Sequence, residues 1–123
     1  MKKEFPLIIN GIFSNYTIKS LFRIKDYIES DIQQHMVLKR LAKKGGTNEC
    51  TLKKGFKHLF KTTVYQYLLK TRMNRANYLL RETTLREQDI AKQCGYETLS
   101  GFINSFQKYY GIPPRQARKA LKI

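Results

Sequence analysis

Tryptophan is absent from the chain, cysteine and histidine occur twice each, proline three times, and only nine residues are acidic. Each scarcity excludes something. Cys50 and Cys94 lie far apart with no CxxC pair, and His35 and His58 are isolated. Neither a disulfide framework nor a zinc site is expected. The few carboxylates form no acid–base pair, and no nucleophile–base set or phosphate-cradling glycine loop is apparent, so neither catalysis nor a cofactor is expected. No run approaches the roughly 20 apolar residues of a membrane span. The apolar run Leu7–Ile9, preceded by Glu4 and Pro6, is too short for a signal peptide. A reducing cytoplasm is the expected compartment.

What the chain does have is positive charge. Lys and Arg total 24 against the nine acids, a formal net charge of +15, while hydrophobic residues at 41% are too many for a disordered tail. Self-repulsion of this size disfavours a compact state and points to a polyanionic partner. Residues 1–35 carry five Lys/Arg and four acids, residues 36–76 eleven and a single acid, Glu49, and residues 77–123 eight and four. One strongly electropositive element therefore sits in the middle third. Nucleic acid is the leading partner, with a non-specific basic protein or a binder of anionic membrane surfaces as the alternative.

Apolar spacing lays out the elements. Residues 1–16 lack a helical period and read as an irregular arm or linker remnant. Ile18, Leu21, the Lys25 stem, Ile28 and Ile32 step by three and four, with Thr17 as a plausible cap. A short helix over 37–44 ends at Gly45-Gly46. Asn48 then caps a helix over 49–60 whose inward residues are Leu52, Phe56, Leu59 and Phe60. Helix, glycine-containing turn, helix is a helix-turn-helix pattern. Thr62 or Thr63 caps a longer helix over 64–81. The pattern then returns: a short helix over 87–93, a turn at Gly95, a cap at Thr98, a helix over 99–110, and a last helix started by Pro113-Pro114. Leu52 and Phe56 of the first unit correspond to Phe102 and Phe106 of the second, 50 residues on. The aromatics Tyr67, Phe102, Phe106, Tyr109 and Tyr110 fall at core spacing. Gly55, inside a helix, costs up to about 1 kcal/mol relative to Ala and implies close packing against another helix.

Two stretches carry a more specific signal, LKKGFKHLFKTTVYQYLLKTRMNRANYLL and DIAKQCGYETLSGFINSFQKYYGIPPRQAR. With them, the chain from about Ile24 to Arg118 resembles the DNA-binding domain of the AraC/XylS family of bacterial transcription regulators. The resemblance implies an all-α fold of about seven helices, two three-helix helix-turn-helix subdomains joined by a long linker helix. The corresponding boundaries are 1–16 for the arm, 17–62 for the first subdomain, 63–82 for the linker and 83–123 for the second subdomain. It also implies two recognition helices entering successive major-groove segments of double-stranded DNA, about 34–36 Å apart. The sequence departs from the family at Asn104, where Arg is frequent, at Gln107, where Lys is frequent, and at Ala117, where an aromatic commonly precedes the final Arg.

On the first recognition helix Leu52 and Phe56 point inward, which leaves Glu49, Cys50, Lys53, Lys54 and Lys57 outward. Carried over position by position, Cys50, Lys53 and Lys54 match base-facing sites, where Lys can donate to guanine O6 and N7. Lys57 and Lys61 reach phosphates. On the second helix the outward set is Leu99, Ser100, Ile103, Asn104, Gln107 and Lys108. Ser100 and Asn104 are the base-contacting candidates, and Gln107 and Lys108 the phosphate contacts. Arg72 on the linker helix is a phosphate contact or an ion-pair partner. The expected function is sequence-specific DNA binding as a transcription regulator, an activator rather than a repressor, that also meets RNA polymerase. The expected state is a monomer, with dimerisation only through a further domain, and a piece of a longer chain is expected over a stand-alone regulator.

Overall fold

The computed structural model describes residues 14–33 and 36–121. Their secondary structure is seven α-helices: α1 (Asn15–Ser30), α2 (Leu38–Gly45), α3 (Glu49–Phe60), α4 (Val64–Glu82), α5 (Glu87–Gln93), α6 (Leu99–Tyr110) and α7 (Pro114–Leu121). Most of the expected N-terminal arm and His35 lie outside the described residues. Helix α1 starts earlier than the apolar spacing predicts. Ser14, not Thr17, is the cap, and its hydroxyl accepts from the Thr17 amide at 3.1 Å. The buried stripe of Ile18, Leu21, Ile24 and Ile28 begins one turn into the helix, so periodicity alone places the start late.

The described residues divide into two units, 14–31 with 36–68 and 32–33 with 69–121, and α4 contributes to both. In the first unit Leu21, Ile24 and Ile28 of α1 bury against Leu41 and Ala42 of α2, Leu52 and Phe56 of α3, and Val64 and Leu68 of α4. Gly46 ends α2 in the left-handed conformation at φ 80°. The Asn48 side chain then accepts from the Thr51 amide at 2.8 Å and starts α3. Gly55 makes the close approach expected of it: a Cβ there would lie 2.6 Å from Leu21 Cδ1. At the start of α4 the Thr63 hydroxyl accepts from the Gln66 amide at 3.0 Å, and Gln66 Oε1 accepts from the Thr63 amide at 3.2 Å. This reciprocal pair is a capping box.

The second unit repeats the plan. Met73, Ala76, Leu79 and Leu80 of α4 pack with Ile90 and Ala91 of α5, Cys94 just after it, Phe102 and Phe106 of α6, and Ala117 of α7. Thr98 caps α6 through the Gly101 amide at 3.0 Å. Two aromatics expected in the core are only at its rim: Tyr109 is 41% exposed and Tyr110 37%. Both stand in the last turn of α6, beyond the layer that Phe102 and Phe106 fill. Their rings meet edge to face at 4.9 Å, and the Tyr110 hydroxyl donates to the Met73 carbonyl at 3.1 Å.

Arg118 is the principal polar tie of this unit. Its guanidinium donates to the carbonyls of Leu85 at 2.7 Å, Thr83 at 3.0 Å, Leu80 at 3.1 Å and Leu79 at 3.5 Å. Leu79 and Leu80 belong to the last turn of α4, where the helix dipole is negative, and the Leu79 carbonyl also accepts from the Thr83 amide at 3.1 Å. A cation with five fixed donors suits that end better than any neutral group.

Candidate nucleic-acid interface

Leu52 and Phe56 are fully buried and Gly55 faces Leu21, so the opposite face of α3 is turned to solvent. That face carries Cys50, Lys53, Lys54 and Lys57, all exposed, and Lys61 follows at the helix end, also exposed. Lys61 adopts a left-handed conformation at φ 62° and closes α3 by donating its amide to the Lys57 carbonyl at 2.9 Å. Among the described residues no ion pair engages these four lysines. The ion pairs found are Lys25–Glu29, Arg81–Glu82 and Arg86–Asp89. Helix α2 adds exposed Lys39, Arg40, Lys43 and Lys44, of which Lys44 lies over the Tyr27 ring at 4.6 Å.

The matching face of α6 is less charged. Ser100, Asn104, Gln107 and Lys108 are exposed, and Leu99 is 37% exposed. Ile103, expected outward, is instead half-buried against the second core. It lines a recess together with Pro113 and Pro114. Arg72 stands on α4, in the second unit. It is half-buried, with its guanidinium carbon 5.5 Å from the Tyr96 ring centroid. Its Nη2 stands close enough to Gly95 that a Cβ there would be only 2.9 Å away.

No local spacing announces the Arg118 clasp, because its partners lie 33 to 39 residues away. The exposed cations Arg115 and Lys119 of α7 line a recess with Ile103 and carry no motif that marks them in the sequence.

The two thiols differ sharply. Cys94 is buried and burial pushes it up to about 12, against a weaker opposing pull from Arg75 and Arg72, so it stays a neutral thiol. Cys50 is exposed on α3. Alkylation of the native chain near pH 8 should therefore modify Cys50 and spare Cys94, as read by peptide mass mapping. Saturating duplex DNA should slow Cys50 labelling at least tenfold if that residue faces the groove; unchanged labelling would remove Cys50 from the interface.

Comparison with known proteins agrees with this geometry. A family model described as a helix-turn-helix domain matches residues 41–120. The C-terminal domain of the two-component response regulator yesN from Fusobacterium nucleatum is 36% identical with a TM-score of 0.75, covering 79% of this chain and 95% of that one. The transcriptional activator AggR of Escherichia coli is 29% identical over 109 residues, 89% of this chain and 41% of AggR. The DNA-binding domain of AdpA, solved in complex with a target DNA, shares the fold at a TM-score of 0.78 and 20% identity, covering 83% of this chain and 92% of that one. The chain spans 25% to 43% of the length of the first curated relatives it matches.

Two helix-turn-helix units sharing one helix, with the basic face of α3 in the first, define a DNA-binding domain of a transcription regulator. The chain belongs to the AraC/XylS family of transcription regulators. Among the described residues no helix is long and apolar enough to cross a membrane.

Proposed function

We propose that the chain binds double-stranded DNA in a sequence-specific manner, with α3 and α6 entering successive major-groove segments, and that the two helices divide the work unequally. The observation that supports this is the contrast between their outward faces. Helix α3 presents Lys53, Lys54 and Lys57, continued by Lys61, whereas Lys108 is the one charged residue on the outward face of α6. Cations neutralise phosphates and release counterions, which is the main sequence-independent source of affinity. Base contacts supply discrimination.

Helix α3 thus provides most of the affinity and direct readout, through Cys50, Lys53 and Lys54 toward bases and Lys57 and Lys61 toward phosphates. Helix α6 sets register, through Ser100 and Asn104 toward bases and Gln107 and Lys108 toward phosphates. Asn104 has the donor and acceptor needed to pair with adenine N6 and N7. Arg72, lying over Tyr96, holds the second unit's turn and reaches phosphate only with its outer edge. The chain acts as a monomer in the cytoplasm, activating transcription and meeting RNA polymerase, with AggR, named a transcriptional activator, as the supporting relative.

Paired alanine substitutions test the division. Lys54→Ala should weaken binding to the selected site about tenfold, and Asn104→Ala by less, since a single base or phosphate contact is worth about 1–3 kcal/mol at most. Both residues are exposed, so both variants should keep the native thermal midpoint. A larger loss for Asn104→Ala, measured by fluorescence anisotropy at fixed salt, would reverse the assignment.

A further inference from the structure

Beside the basic face of α3, the first unit holds an open groove of about 880 Å³. Its floor is apolar, made by Leu38 and Leu41 of α2 and by Val64 and Leu68 of α4, and Lys53, Lys54, Lys57 and Lys61 stand among its lining residues. Tyr65, 78% exposed, also lines it. The volume lies within the roughly 300–1,000 Å³ range of small-molecule sites, which combine an apolar lining with a few polar groups that fix orientation. A duplex edge offers phosphates to the lysines but nothing to an apolar floor.

We propose that this groove binds a small amphipathic anion, a bulky apolar body carrying a single carboxylate or sulfonate head, and that the bound anion competes with DNA. The apolar body leaves water itself and covers the exposed parts of Leu38 and Tyr65, the driving force for its burial. The head is held by the lysines, which complement it in charge and have no ion-pair partner among the described residues. Because Lys53, Lys57 and Lys61 serve both partners, an occupied groove withdraws them from phosphate and lowers DNA affinity. The competition, though not the groove's occupancy, rests on the proposed role of α3.

The test uses 8-anilinonaphthalene-1-sulfonate, an aromatic sulfonate whose fluorescence rises in apolar surroundings. Titrated into the native chain without DNA, it should saturate at one equivalent and shift the NMR signals of Leu38, Leu41, Val64 and Leu68. Shifts spread over both units without saturation, or centred on α6 and α7, would overturn the site. Leu38→Glu, which sets a like charge in the floor, should weaken binding on the order of tenfold or more. Should that variant fail to fold, the exposed double substitution Lys57→Gln/Lys61→Gln should weaken it by a similar factor; undiminished binding to this pair would overturn the role of the rim. With a labelled duplex, saturating probe should raise the apparent Kd for DNA at least tenfold, and unchanged DNA affinity would overturn the competition. A chain that binds no duplex even without the probe contradicts the DNA reading, while the titration and the variants still decide the groove.

Discussion

Affinity for duplex DNA is expected to fall by about 10³–10⁵ between 50 and 200 mM monovalent salt, if six to ten phosphates are neutralised. The expectation follows from where the charge sits. Residues 36–76 hold eleven Lys/Arg and one acid, and the exposed lysines of α2 and α3 come from that segment. Each neutralised phosphate releases condensed counterions and contributes about −0.9 to the slope of log K against log salt. Removing Lys57 and Lys61 together should make the slope shallower by about two, with no change in the preferred base sequence. A slope near zero, measured by anisotropy titrations over a salt series, would mean that the lysine face is merely a solvated surface.

The second large effect concerns stability. Gly95→Ala should destabilise the second unit by about 3 kcal/mol, from a strained backbone worth about 1–3 kcal/mol and overpacking of similar size. Gly95 sits at φ 91°, where a side chain is rarely tolerated. A Cβ would also run into the carbonyl oxygen of Ile32 and lie 2.9 Å from Arg72 Nη2 and 3.0 Å from its Cζ. A backbone carbonyl cannot rotate aside as a side chain can. Gly55→Ala is the informative contrast, because its nearest neighbour is the end of the Leu21 side chain and the helix gains about 1 kcal/mol from the substitution. Chemical denaturation should show a large loss for Gly95→Ala and a much smaller one for Gly55→Ala. Equal losses would show that the turn is not the constrained point.

Much of this architecture was legible in the sequence because local signals agree with one another. Asn48 and Thr98 stand at the caps where the apolar spacing requires a helix to begin, and the structure starts α3 and α6 there. Gly55 raised the expectation of a close helix contact, and the partner, Leu21 of α1, is seen only in the fold. Less was legible where the decisive partner is remote. Tyr109 and Tyr110 have core spacing, yet the last turn of α6 runs past the layer they would fill. The four carbonyls that accept from Arg118 lie dozens of residues upstream, and the placement of Arg72 over Tyr96 depends on the second unit's tertiary packing. The outward faces of α3 and α6 could be listed from periodicity, except that Ile103 is drawn into the core beside Pro113 and Pro114.

The groove of the first unit was invisible for the same reason. Its floor residues belong to α2 and α4, and Leu38, Leu41 and Leu68 read in sequence as ordinary inward positions. Only the folded unit shows that Leu38 remains partly open to solvent next to a lysine rim.

Selection of bound duplexes from a randomised pool, at fixed salt, tests the central claim most directly. Two recognition helices in successive major-groove segments predict a bipartite site, two blocks of preferred bases with about 10 bp between their centres. The block read by α3 should be the more sharply defined and should lose definition in Lys54→Ala. A single block, or enrichment without any preferred sequence, would contradict the account.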